Sequence, residues 1–316
     1  LAVVASTLCA SGAHAADAYP AKPIRLLVGF AAGGANDLVA RVLAARMSPR
    51  LGQQVVVENR PGAAGNISAQ LVARAAPDGY TMLLGSVATL GMSPAMYREP
   101  GFDALNDFAP ITQAVAVSTL LTVHPSLPPR SLKAFVALAK KRPGGINFGS
   151  PGAGSISHVT AELFLLTAGL RMVHVPYKGG GPALIDALSG QVESLFSLIS
   201  TSGPQVKAGK LHGIAVTGSK RSGSLPDVPT VAEGGYPGFE GSGWLGILFP
   251  AKTPAVIVER VNKEAVAAIA MPETRKQLED VGLDPVSSTP EAFRAYIKSE
   301  YAKWTKVIRD AGIKAE

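Results

Sequence analysis

The sequence predicts an α/β protein of two lobes, and three observations predict it. Strand, helix and strand patterns alternate near the start of the chain and again in its middle. Both alternations pass through glycine-rich turns that open helices. At 316 residues the chain also exceeds the roughly 100 to 200 residues that one core organises. With 47% hydrophobic and 17% charged residues it can bury a real core, which excludes disordered, collagen-like and coiled-coil chains.

The first fifteen residues carry no charge and end in Ala13-His14-Ala15, the pattern of an export signal. Its basic start is missing, so the chain is read as truncated there, with cleavage expected near Ala15. The apolar part is shorter than the roughly 20 residues a membrane span needs. Cys9, the only cysteine, would leave with the signal, so no disulfide is expected. Thirty basic against twenty-three acidic residues give a net charge of +7, scattered over helices with no basic, aromatic-laced stripe. Nucleic acid is therefore not an expected partner.

After the segment Ala18 to Pro23, the apolar run Ile24 to Phe30 reads as a buried parallel strand. A glycine loop follows, then a helix with Val39, Val42, Leu43 and Met47 on one face and Asn36 or Ala35 at its N-cap. Val55 to Val57 is a strand, Ile67 to Ala75 a helix and Thr81 to Leu84 a strand, with turns at Arg60-Pro61-Gly62 and Pro77-Asp78-Gly79. This βαβαβ order predicts parallel strands with ligand loops at their carboxyl ends. The grammar returns with a strand at Ile146 to Gly149, a loop from Ser150, and a helix capped by Ser155. Strands at Met172 to Pro176 and Val192 to Leu198 then flank a helix from Pro182 with Gly181 as its cap. Three tail helices, Pro254 to Ala270, Pro272 to Val281 and Pro290 to Ala311, can return to the first lobe. The chain would then cross twice, near 115–125 and 238–248, and leave a cleft between the lobes.

Three glycine turns each feed a helix start: Ala31 to Asp37, Ser150 to Ser155 and Tyr177 to Gly181. Free backbone N–H groups and a partial positive charge of about +0.5 suit an anion there. A tight strand-to-helix turn is the plain alternative for each. Gly33-Gly34 lacks dinucleotide-binding spacing, and no G-x-x-x-x-G-K-[ST], G-x-S-x-G or H-E-x-x-H occurs. His124, His158, His174 and His212 show no metal-ligand spacing, so no metal or cofactor is expected. His158 near the second loop is either a ligand contact or a capping residue. Asp37 suits capping in the first turn more than ligand contact. Lys178 offers a point charge, and Trp244 and Tyr236 either border a cleft or pack in the core. No acid-base pair is visible.

The runs Pro23 to Val28 before Gly33-Gly34-Ala35-Asn36-Asp37, Val57 to Ile67, and Pro77-Asp78-Gly79-Tyr80-Thr81 closely resemble Bug-type receptors of the tripartite tricarboxylate transporter. So do Asp107 to Pro110, Asn147 to Ser150, His174 to Gly179, Leu225 to Glu233 and Ala311 to Lys314. The resemblance covers the whole chain beyond the signal. It implies a periplasmic binding protein of flytrap form, each lobe a mostly parallel sheet flanked by helices, joined by a double crossover. The lobes are expected at 20–118 plus 246–316 and at 119–245. It also implies a monomer that captures a small carboxylate and delivers it to membrane permease subunits, without catalysis.

In relatives the carboxylate is held by the loop after the first strand and the loop opening the second lobe. Carried over, these are Ala32, Gly34, Asn36 and Asp37, facing Gly152, Gly154, Ser155 and His158. Ser86, Ala88 and Thr89 with Tyr177 would line the same cleft. Asn36 replaces the Thr or Ser of many relatives, and Ala32 replaces Pro. Ser197 stands where relatives often have Asp, so a ligand ammonium would lose its partner. The expected ligand is thus an amine-free acid, dicarboxylate or aromatic. The rivals are an exported α/β enzyme acting on an anion and a module that presents its ligand to a sensor kinase.

Overall fold

The computed structural model describes residues 19–313; the expected signal, with Cys9 and Ala15, lies outside the described residues. β1 (Ile24–Val28) leads into α1 (Ala35–Leu51), and β2 (Val55–Asn59) leads through a 3-10 turn (Ala63–Gly65) into α2 (Asn66–Ala73). β3 (Thr81–Ser86) runs into a π-helical turn (Val87–Met92) and the short α3 (Ser93–Met96). After β4 (Phe108–Val117), Ser118 alone separates β5 (Thr119–Val123). Then come α4 (Leu132–Lys141), β6 (Asn147–Ser150), α5 (Ile156–Ala168), β7 (Val173–Pro176), α6 (Gly180–Leu188), β8 (Ser194–Leu198), α7 (Ile199–Lys207) and β9 (His212–Val216). The chain ends with β10 (Gly243–Pro250), α8 (Ala255–Ala270), α9 (Pro272–Glu279), β11 (Asp284–Pro285) and α10 (Pro290–Asp310).

These strands form two sheets, ordered β11-β4-β10-β3-β1-β2 and β7-β6-β8-β5-β9. The two-lobed α/β architecture is the predicted one. The expectation of mostly parallel pairing is corrected, because both sheets are mixed. β1 pairs in parallel with β2 and β3, as do β6 with β7 and β8. The strands that carry the chain between lobes run the other way: β10 is antiparallel to β3 and β4, and β5 to β8 and β9. The physical reason is connectivity. A strand that passes straight into the next sheet, or comes straight back from it, needs no crossover helix and so is not held to parallel pairing. At the crossing, Val117 pairs with Gly243, so the outgoing and returning strands brace each other.

Burial explains the layers. α1 and α8 cover one face of the first sheet with Val39, Leu43, Met47, Val261 and Ile269, all buried. α2 and α10 cover the other with Val72, Phe293, Ile297 and Trp304. Each such side chain removed from water stabilises the fold by roughly 1.5–3 kcal/mol before entropy is counted. Val159 of α5 joins the α10 cluster, so apolar packing continues from one lobe into the other. In the second lobe Phe135, Phe148, Phe164 and Phe196 fill the core under α4 and α5.

Two expected helix starts move. α1 begins with Gly34 as N-cap, not Asn36 or Ala35, because Gly34 is the last extended residue (φ −83°, ψ 175°) and its carbonyl accepts the first helical hydrogen bond, from the N–H of Leu38. α6 begins at Gly180 with Gly179 (φ +114°) as its cap, which places Pro182 third. Proline is tolerated there because a first-turn N–H has no helical acceptor. Among the described residues, no helix is long and apolar enough to cross a membrane.

Candidate functional site

A cavity of about 500 Å³ lies where the two lobes meet. Its floor is Val117, Gly243, Trp244 and Leu245, from the paired β4 and β10. The first lobe contributes Phe30, Ala35 and Asn36, then Ala64, Ser86 to Ala88, Met96 and Tyr97. The second contributes Pro151 to Ile156 and Leu198. Three helical starts therefore meet at one hollow: those of α1, of the π-helical turn and of α5. The lobes approach closely, since a side chain added at Gly154 would meet Met96 Sδ at 3.2 Å.

The first loop is locked by a carboxylate. Gly33 (φ +84°) donates its N–H to Asp37 Oδ2 at 2.9 Å, and Arg41 Nε donates to the same oxygen at 2.9 Å. Asn59 Nδ2 donates to Asp37 Oδ1 and to the carbonyl of Phe30. The Arg41 hydrogen bond above all, with those from Gly33 and Asn59, holds the Asp37 carboxyl down at about 2 although burial opposes this. Asp37 is thus fully engaged behind the wall. At the first two helical positions, the amides of Ala35 and Asn36 have no acceptor within the helix. The buried Asn36 Nδ2 also has no partner among the described residues.

The second loop is locked by an imidazole. Gly154 (φ +70°) donates its N–H to His158 Nδ1 at 3.0 Å, while Ser155 Oγ accepts the His158 backbone N–H at 3.2 Å. Because His158 Nδ1 accepts, its proton sits on Nε2, 3.6 Å from Glu162 Oε1. The His158 and His174 rings stack at 3.8 Å, and His174 stacks in turn on Phe148 at 4.9 Å. His174 Nε2 lies 2.7 Å from Ser150 Oγ, which accepts the N–H of Gly152. Burial first, and His158 second, push His174 down to about 4. The Gly152 and Gly154 amides are therefore spent inside the loop, and those of Ile156 and Ser157 remain open at the start of α5.

Of the expected site residues, Asn36, Ser86, Ala88, Gly152, Gly154 and Ser155 line this one cavity. Ala32 and Gly34 are exposed on the approach to it. Thr89 stands behind the wall, bonded to Ser86 Oγ and to the carbonyl of Ala64. His158 lies beneath the second loop, buried. Tyr177 lies outside the lining, its hydroxyl donating to Asp186 and its ring set against Gly149. Ser197 is buried in β8 and donates to Ser202. Trp244 is both buried and part of the floor. Phe30, Ala64, Met96, Tyr97, Val117, Leu198 and Leu245 went unpredicted. The one sequence signal for them was position just past a strand or at a lobe crossing, as with Phe30, Leu198 and Val117.

Among the described residues, no Asp, Glu, Lys, Arg or His lines the cavity. Among the described residues no three His, Cys, Asp or Glu side chains group closely enough to hold a metal ion. What the arrangement can do is present backbone and neutral N–H donors to an anion inside an apolar enclosure, with no paired acid and base for proton transfer.

Residues 39–313 match the pattern of the tripartite tricarboxylate transporter family receptor. The chain is 36% identical over 318 residues to protein BugT of Bordetella pertussis, covering 99% of this chain and 98% of that one. Among solved structures it is similar to Rpa4515 of R. palustris with adipate, at TM-score 0.78 and 35% identity over 94% of this chain and 99% of that one. It is also similar to MatC of Rhodopseudomonas palustris with bound malate, at TM-score 0.74 and 31% identity over 92% and 100%.

Proposed function

We propose that this chain, which belongs to the tripartite tricarboxylate transporter receptor family, captures an amine-free carboxylate between its lobes and delivers it to membrane permease subunits. Family members and fold neighbours are solute-binding proteins, and this chain is a receptor of that kind. The carboxylate class, a dicarboxylate or an aromatic acid, and the delivery step are our reading. So are export to the periplasm and a monomeric state. The closing bodies are residues 20–118 with 246–316, and 119–245, with the returning strand at 243–245 shared at the hinge.

One observation carries the reading: the starts of α1 and α5 converge on a single cavity that, among the described residues, no charged side chain lines. Helix-start amides stabilise an anion without a fixed counter-charge, which suits capture that must be reversible. Among the described residues no carboxylate lines the cavity, which disfavours an ammonium group that would be buried unpaired. The relatives with adipate and malate support a carboxylate. Closure draws on contacts that both lobes make with the ligand, added to the close approach of Gly154 and Met96 already present in this structure.

The test is a thermal-shift panel of mono-, di- and tricarboxylates and of aspartate and glutamate on purified protein, followed by calorimetry. Binding to the native state raises its apparent stability, by about 2.7 kcal/mol at a hundredfold excess over Kd. Amine-free acids should shift the melting temperature. A response confined to amino acids would sink the ligand class, and turnover of a bound acid would sink the receptor reading.

A further inference from the structure

We infer that His174 is a positioning residue of the binding site: from behind the cavity wall it sets where both glycine peptides of the second-lobe loop stand, and through them the ligand affinity. The inference rests on the receptor reading above and deepens it. The wall itself is Pro151 to Ser155, and His174 reaches it only through other side chains. His174 stands on β7, the edge strand of the second sheet, paired in register with Phe148 of β6. Residues two apart on a strand share a face, so Ser150 lies on the same side as Phe148, one step closer to the loop. One ring on that face therefore meets both the end of β6 and the start of α5.

Two routes lead from the imidazole to the loop. Ser150 Oγ donates to the Gly152 carbonyl at 3.1 Å and accepts the Gly152 N–H at 3.3 Å, so a single hydroxyl holds both ends of that residue. Its one hydrogen is then spent, and His174 Nε2, 2.7 Å away, donates to it. Without that third bond the hydroxyl is free to rotate off Gly152. The second route is the stack. His174 lies flat against His158, at 3.8 Å and 10°, and against Phe148 at 4.9 Å, which fixes the plane of the ring whose Nδ1 accepts the Gly154 N–H. Both glycines have positive φ, +153° and +70°, where no side chain steadies the peptide. The hydrogen bonds do so instead, and each chain of contacts ends on His174.

The test separates the two routes with variants of one residue. His174→Phe keeps a ring against His158 and Phe148 but has no donor for Ser150, whereas His174→Gln offers an N–H at similar reach and has no ring. Amide exchange of Gly152 and Gly154 is followed by NMR, and affinity for adipate and malate by calorimetry, at a temperature where circular dichroism shows each variant folded. In His174→Phe the Gly152 amide should exchange about tenfold faster, with Gly154 within about threefold of wild type, and His174→Gln should show the reverse. Each variant should bind about tenfold more weakly, the effect of losing one hydrogen bond's worth of positioning. Adding His174→Phe to Ser150→Ala should change Gly152 no further, because that route is already cut. A merely structural role would lower stability without this split between the glycines. Unchanged exchange at both glycines, or unchanged affinity where exchange has risen, would overturn the inference and leave the receptor reading standing. If neither acid binds the wild type, that failure belongs to the ligand reading above, and the exchange pattern alone decides whether His174 positions the loop.

Discussion

The two loops that face each other across the cavity share one device built from different chemistry. In each, a glycine just before the helix cap donates its N–H to the side chain four residues on: Gly33 to Asp37, and Gly154 to His158. In each, that glycine has a positive φ, +84° and +70°. The first lock is a carboxylate neutralised by Arg41, and the second is an imidazole stacked on another imidazole. Both locks take the glycine amide out of reach of a ligand, so the open donors are those of the following helix. The difference lies in what each lock tolerates. A carboxylate held at about 2 keeps its proton off throughout the ordinary pH range, whereas His174, stacked on the second lock, is held down to about 4 by burial first and His158 second.

The largest expected effect tests whether the loops are equivalent in space. Gly154→Val adds a strained left-handed residue and pushes on Met96 across the cavity mouth. We expect ligand affinity to fall by about 100-fold or more with the fold retained, measured by calorimetry and circular dichroism. Gly33→Val carries similar backbone strain but meets nothing within 4 Å, so its effect on affinity should be clearly smaller. Equal losses would mean that strain alone, and not contact between the lobes, sets the requirement at Gly154.

Removing each lock compares them directly. Asp37→Ala leaves Arg41, Asn59 and the Gly33 amide without their shared acceptor, a loss of about 2–4 kcal/mol of stability. His158→Ala leaves the Gly154 amide unpaired and uncovers His174, a loss of about 1–3 kcal/mol. Denaturant unfolding ranks the two. A larger loss at His158 would reverse the order and make the imidazole stack the stronger lock.

Acid should then separate the lobes' contributions. His174 drops from an ordinary value near 6.5 to about 4 on folding, so the unfolded chain binds more protons between those values. The stability it provides is complete above pH 6.5 and is lost as pH falls through about 4. Asp37 drops from near 3.8 to about 2, so its contribution is complete above pH 4 and is lost as pH falls through about 2. The melting temperature should therefore fall by roughly a few degrees between pH 6.5 and 4. His174→Phe, which keeps a ring on Phe148, should flatten that slope. An unchanged slope would assign it to other groups.

What was legible in the sequence was local. The glycine turns, the Ser155 cap and the strand-helix order each depend on residues a few positions apart, and all three hold. The cavity floor was legible only at Trp244, read as bordering a cleft or packing in the core, because Val117 and Gly243 meet only through a strand pairing set by the two lobe crossings. The same long-range pairing made the sheets mixed. Tyr177 shows a different limit: its place in a glycine turn suggested the cleft, yet its hydroxyl is taken by Asp186 on the next helix. The Gly154 amide, a natural anion donor by motif, is claimed by His158 once the helix forms.

The smallest expected effect falls on Gly34, whose place in the double glycine implies an essential backbone freedom. The structure gives it φ −83° and ψ 175°, extended backbone open to any residue, and an added Cβ would meet only the Ala31 carbonyl at an ordinary 3.6 Å. Gly33 beside it carries the turn. Gly34→Ala should therefore change stability by less than about 0.5 kcal/mol and affinity by less than about threefold. A collapse of affinity without a loss of stability would show that a ligand oxygen comes against Gly34 itself. The anion would then sit at the tip of the first loop, and the two loops would no longer share it evenly.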